Sequence, residues 1–218
     1  MAAKPLEYGL TPPDQLIELA DSMRAVIEKM MVIDREHPHL REARATLDDI
    51  AARLDGLGRR GFHARMMPEV DPGEEDLRPY FAGNARRWHY NPIHPPMELE
   101  PKAGGLRARV RLGLAYEGPP GCVHGGLIAM LLDQVLGQSN FENGVAGMTG
   151  TLTVRYRRPT PLLRELIVEA DAPELADNRK CVTRGRILCD GEVTAEAQAL
   201  FVLPSGNWVL PAIKPTRG

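Results

Sequence analysis

Asp133 is the only Asp, Glu, Lys or Arg in the run His124-Gly-Gly-Leu-Ile-Ala-Met-Leu-Leu-Asp-Gln-Val-Leu-Gly-Gln138. A carboxylate in such surroundings loses hydration worth on the order of several kcal/mol unless neighbouring groups compensate it. Acids placed this way serve as general acids, general bases or nucleophiles, because that work requires a perturbed proton affinity. The same pattern also fits a structural acid capped by hydroxyl groups. The run opens on His124-Gly125-Gly126, backbone that a ligand can approach closely, where a helix N-terminus would favour negative charge. Cys122, two residues before His124, could share its side in an extended segment, but no third group stands ready to orient a Cys–His pair. Ser139 and Asn140 read as the C-terminal turn of the run.

The elements around this run divide the chain. Residues 1–60 read as a helical extension. Pro12-Pro13-Asp14 starts a helix with Leu16, Ile17, Leu19, Met23, Ile27, Met30 and Met31 at helical spacing. A second helix over 40–57 places Ala43, Leu47, Ile50, Ala51 and Leu54 on one face and stops at Gly58. Residues 61–88 contain Met67-Pro68, Asp71-Pro72-Gly73 and Arg78-Pro79 and read as an irregular connector. In 89–204 the period changes. Residues 106–114 alternate apolar and polar, the apolar helix follows, and 148–158, 163–170, 180–189 and 193–203 read as strands. Asp190-Gly191 is a hairpin signal between the last two. Residues 205–218 form a tail. A lone helix that is apolar nearly all round must be wrapped, so the class is α+β, a curved antiparallel sheet around one central helix.

Composition narrows the function classes. The 218 residues are 43% hydrophobic and 5% aromatic with a net charge of −2, so no polyanionic partner is expected and the core must be mainly aliphatic. The N-terminus lacks the basic start and apolar core of a secretory signal, and no apolar run reaches the roughly 18 residues of a membrane span. The three cysteines have no metal-ligand spacing. Cys181 and Cys189 lie about 26 Å apart along one extended strand and cannot bridge there. No metal site is expected, and a reducing cytoplasm is the expected location.

The order of elements and three stretches resemble the hotdog-fold thioesterases. The stretches are Glu117-Gly-Pro-Pro-Gly-Cys-Val-His-Gly-Gly126, Asp133, and Met148-Thr-Gly-Thr-Leu-Thr-Val-Arg-Tyr-Arg-Arg-Pro-Thr-Pro-Leu162. The resemblance is to the PaaI-like branch of the 4-hydroxybenzoyl-CoA thioesterase superfamily and spans roughly half the chain. It implies hydrolysis of acyl-CoA to a free acid and coenzyme A, with coenzyme A as part of the substrate and no cofactor. Gly125 would offer its N–H to the oxyanion, His124 would shape that turn or polarise the carbonyl, Asp133 would be base or nucleophile, and Thr149 would orient the water or the acid. Some relatives carry Asn as a second carbonyl donor six residues before the histidine, where this chain has Gly118. Arg155, Arg157, Arg158, Arg179 and Lys180 at strand ends are candidates for the coenzyme A phosphates.

Helix phase adds an argument of its own. His124 and Asp133 are separated by about 13.5 Å of rise and 2.5 turns, so they occupy opposite faces. If Gly125 and Asp133 act on one thioester they must come from two subunits, which implies a homodimer, possibly paired again as a tetramer. Two other classes compete. A hotdog hydratase or dehydratase needs a histidine in phase with its carboxylate. A regulator that binds acyl-CoA and DNA needs a basic face, whereas residues 14–60 hold ten acids and eight bases. The stripe of Met23, Met30 and Met31 suits a lid over an acyl channel or a subunit contact.

Overall fold

The structure is a computed structural model that describes residues 14–55, 57, 87–145, 147–177 and 179–202. Its centre is helix α4 (Gly125–Glu142), whose Ile128, Leu131, Leu132, Val135 and Leu136 are buried. A helix apolar on most sides needs cover on most sides, and five strands of one antiparallel sheet, β2, β3, β4, β6 and β7, supply it. The strands are β1 (Glu98–Lys102), β2 (Gly105–Arg111), β3 (Met148–Tyr156), β4 (Glu165–Asp171), β5 (Glu174–Asp177), β6 (Lys180–Cys189) and β7 (Glu192–Val202). Their order is β1-β2-β4-β6-β7-β3, with β5 paired to β6. This is the α+β hotdog architecture expected.

Alternation explains which side each strand turns inward. Leu106, Ala108 and Val110 of β2, Leu166, Val168 and Ala170 of β4, and Ala195, Ala197, Ala199 and Phe201 of β7 are buried. The alanines of β7 let the sheet come close to α4, and Phe201 fills the space beside Gly137, where a Cβ would lie 3.7 Å from its ring. The opposite face is polar. Cross-strand register there produces a row of alternating charge, Glu100, Arg107, Glu169, Arg186, Glu196 and Arg155, across six strands. Glu169 is buried within this row and binds Arg107 and Arg186 at 2.7 Å each and Lys102 at 3.2 Å. Burial would raise its pKa, but these three hydrogen-bonded cations outweigh that and lower it from 4.5 to about 2.

Several expectations are corrected. β1 and β5 were not foreseen: β1 contains Pro101, tolerable because β1 is an edge strand, and β5 has only four residues. The strand expected over 163–170 begins at Glu165, since Leu163 has φ 60°. The central helix runs on to Glu142, and Ser139 and Asn140 are buried in it rather than forming a turn. Ser139 donates to the Asp171 carbonyl and Asn140 accepts from Thr183. The Asp190-Gly191 hairpin joins β6 to β7 with φ of 52° and 81°, the positive values such a turn requires.

In the N-terminal part, α1 (Asp14–Met30) and α2 (Pro38–Leu54) form near the expected places. A four-residue helix, α3 (Arg87–Tyr90), follows. The apolar face of α2 is open, with Leu47 and Leu54 exposed and Ile50 half-buried. Met23, Met30 and Met31 are exposed too. Gly58, most of the expected connector and the tail at 205–218 lie outside the described residues. Among the described residues no helix is long and apolar enough to cross a membrane.

Candidate active site

His124 is the N-cap of α4, with φ −61° and ψ 133°. Its Nδ1 accepts the Gly126 N–H at 3.0 Å, so in the neutral ring the proton sits on Nε2. The first N–H groups of a helix have no partner within it. Here Gly126 is satisfied by His124, while the Gly125 N–H has no acceptor among the described residues. That amide, at the positive end of the α4 dipole, is a donor available to an oxyanion. The Gly125 carbonyl, in the peptide unit after that N–H, accepts the Tyr156 hydroxyl at 2.9 Å, which ties Gly125 to β3.

The turn before α4 is tightly tied. The His124 N–H donates to the Tyr116 carbonyl at 2.9 Å, and the Val123 N–H to the Thr160 carbonyl at 2.8 Å. Thr160 is buried and donates to Thr194. Glu117 accepts the Gly121 N–H at 2.7 Å across the loop. Gly118, the position of the second donor in some relatives, has a local reason for being glycine. A Cβ there would lie 2.7 Å from the His124 Cα, so no asparagine fits unless the loop shifts.

Asp133 lies eight residues beyond Gly125 in α4, about 12 Å along the axis. It accepts the Thr149 hydroxyl at 2.8 Å. In the single chain Asp133 is half-buried rather than enclosed, because Thr149 and most of β3 are exposed at the end of the sheet. Thr149 and Tyr156 are seven residues apart and would face opposite sides of a regular strand. The register shift between Thr149 and Thr151 adds one residue, and the bulge turns both side chains toward α4. One strand therefore touches the two chemical ends of the helix, Asp133 through Thr149 and Gly125 through Tyr156.

The structure separates the proposed phosphate-binding cations into two groups. Arg157 and Arg158 follow Tyr156, at the Gly125 end, and pair with Glu196 at 2.7 Å and with Glu192. Lys180 aligns through Val202 with Met148, at the other end of β3. It approaches Asp177 at 3.9 Å, and the Arg179 N–H donates to Asp177 at 2.7 Å. Within one chain the two groups lie a strand length apart. Cys122 is half-buried, and Nδ1 of His124 accepts from Gly126. Tyr156 was missed in the sequence, although it lies within the stretch that carries the resemblance.

The chain matches no protein-family model. It is 38% identical over 92 residues to acyl-coenzyme A thioesterase THEM4 of Mus musculus, covering 41% of this chain and 39% of that protein. It is 36% identical over the same length to THEM4 of Xenopus laevis, covering 41% of each. The chain thus spans about two fifths of the length of the curated relatives it matches. A solved crystal structure of a thioesterase superfamily protein is similar along nearly the whole chain, with 33% identity and a TM-score of 0.73. That likeness covers 92% of this chain and 98% of the other. With that identity over nearly the full length of both chains, the chain belongs to the thioesterase superfamily.

Proposed function

We propose that the protein hydrolyses acyl-CoA thioesters to a free carboxylic acid and coenzyme A, as a homodimer with two sites across its interface. The observation that carries this reading is the pairing of an uncommitted Gly125 N–H with an Asp133 held by Thr149, at opposite ends of the exposed edge strand β3. Long edge strands invite pairing. Two β3 strands paired antiparallel about a two-fold axis bring the Thr149 end of one beside the Tyr156 end of the other. Asp133 of one subunit then faces Gly125 of its partner copy.

The chemistry proposed is base-assisted attack by water. One Asp133 oxygen accepts from Thr149, and the other takes a proton from water as the water oxygen bonds to the thioester carbon. The carbonyl becomes an oxyanion held by the Gly125 N–H, in the turn that His124 shapes. Collapse breaks the C–S bond. The proton on Asp133 passes to the departing thiolate, so the carboxylate is regenerated. Direct attack by Asp133, through a mixed anhydride that water opens, uses the same geometry. Neither route uses a metal or an organic cofactor. The two groups of cations, a strand length apart in one chain, are brought to the same end by the same pairing, where they suit phosphate.

The test is release of free thiol from a panel of short, long and aromatic acyl-CoAs by the purified protein, with Asp133→Asn and Asp133→Ala beside it. Turnover lost in both variants is expected. Equal turnover in all three proteins refutes the mechanism. Binding without turnover, or water added to an enoyl-CoA, assigns the fold to a regulator or a hydratase instead.

A further inference from the structure

The N-terminal helix reaches the candidate site through one carboxylate. Along α1, Ala20, Arg24 and Glu28 recur every four residues and so share one face. Ala20 is 2% exposed. Arg24 donates to the carbonyls of Asn91 at 3.0 Å and of His89 and His94 at 3.2 Å each, which holds the helix to α3 and the segment after it. One turn later Glu28 accepts the N–H groups of Leu114 at 3.1 Å and Ala115 at 3.3 Å. These are the opening amides of the short 3-10 turn Leu114–Tyr116, whose N-cap, Gly113, has no side chain to cap it. A carboxylate from 86 residues away replaces the missing cap. Glycine at 113 makes room for it, since a Cβ would lie 2.3 Å from a Glu28 oxygen.

That turn ends on Tyr116, whose carbonyl receives the His124 N–H. The path is continuous: Glu28 carboxylate, the amides of 114 and 115, the Tyr116 carbonyl, then the His124 cap that directs the Gly125 N–H. We propose that Glu28 is a positioning residue for the oxyanion-binding turn, and that α1 is a strap setting its geometry rather than a lid. The inference rests on the proposed hydrolysis. Glu28 touches no reacting atom. Its effect comes through orientation, where a displacement of about 1 Å costs up to ~10² in rate.

The experiment compares Glu28→Ala and Glu28→Gln in the full chain, each alone and combined with Gly125→Pro, which removes the proposed donor. Glu28→Ala is expected to lower kcat about tenfold with KM held within about twofold, and Glu28→Gln, which keeps one acceptor, to recover part of the loss. In the Gly125→Pro background neither change should lower the residual rate further, because the donor they position is gone. A fully additive loss, or a change confined to KM, overturns the proposal. Amide hydrogen exchange supplies a second reading without substrate. Residues 113–127 should exchange faster in Glu28→Ala while β6 and β7 keep their protection. Unchanged exchange at 124–127 overturns the strap. A wild type without thioesterase activity refutes the proposed reaction alone, and the exchange measurement still judges the strap.

Discussion

Replacing Gly125 by proline removes one hydrogen-bond donor and leaves the surrounding backbone compatible. Position 125 is the first residue of α4, where proline's fixed φ suits a helix and its missing N–H has no intrahelical acceptor to lose. The residue before a proline must be extended, and His124 already is, at φ −61° and ψ 133°. The cap between His124 Nδ1 and Gly126 is untouched. Loss of one oxyanion donor elsewhere costs about 10²–10³ in kcat, or about 2.7–4 kcal/mol, and a loss of that size is expected here. Gly125→Ala is the control. It keeps the N–H, and its Cβ meets the Tyr156 hydroxyl and ring at 3.4–3.5 Å, ordinary contact. Its kcat should stay within a few-fold of wild type.

Paired with Asp133→Asn, the same substitution tests where the two halves of the site come from. In the proposed dimer, each variant alone has two damaged sites. A heterodimer of one Gly125→Pro chain and one Asp133→Asn chain, purified through two different tags, contains one site with both groups intact and one with neither. It should turn over at about half the wild-type rate per dimer if the groups meet across the interface. If Gly125 and Asp133 of one chain served one thioester, both sites of that heterodimer would stay damaged. Two inactive parents and an inactive heterodimer therefore refute the cross-subunit site, and equal kcat for the proline and alanine variants refutes the donor.

Further outcomes follow from single contacts. Thr149→Val removes the hydroxyl that Asp133 accepts at 2.8 Å; hydrogen bonds to charged groups contribute about 1.5–3 kcal/mol, so kcat should fall tenfold or more with KM little changed in steady-state assays. Gly118→Ala forces a Cβ to within 2.7 Å of the His124 Cα. Activity should drop with its 117–124 amides exchanging faster, and an unaltered enzyme would show that the loop yields freely. Glu169→Gln should destabilise the fold by about 3 kcal/mol at pH 7 in denaturant titrations, from a pKa held at about 2 against an ordinary 4.5. Because the folded-state pKa is lowered, this stabilisation is present above about pH 4.5 and lost as pH falls toward 2, where wild type and variant should converge.

The parts legible in the sequence are those whose cause is local. The apolar run around Asp133 and the Asp190-Gly191 turn each depend on residues within a few positions of one another, and both form where expected. What stayed hidden depends on register and distance. The charge row from Glu100 to Arg155 exists only once six strands are aligned. Glu28 reads as one of many helix acids until its helix docks 86 residues away on Leu114. In the single chain Asp133 is only half-buried, because its run is apolar but the strand beside it is an edge.

The bulge in β3 shows how a single residue decides the site. Strict alternation along 148–156 places Thr149 and Tyr156 on opposite faces, so one of them would point away from α4. With Gly150 absorbed between the partners of Phe201 and Leu200, both point inward. Slipping the register by one residue exchanges the faces of everything beyond it. Leu152 and Val154, which pack on the core, would then go outward together with Tyr156. The bulge is thus held by the burial of two apolar side chains, and the Tyr156 contact with Gly125 comes with them. A Cβ at Gly150 would lie 3.2 Å from the Val202 side chain, a tight approach in the same short stretch. The hydroxyl that holds the Asp133 carboxylate and the hydroxyl that holds the Gly125 carbonyl share one strand because its pleat is broken once between them.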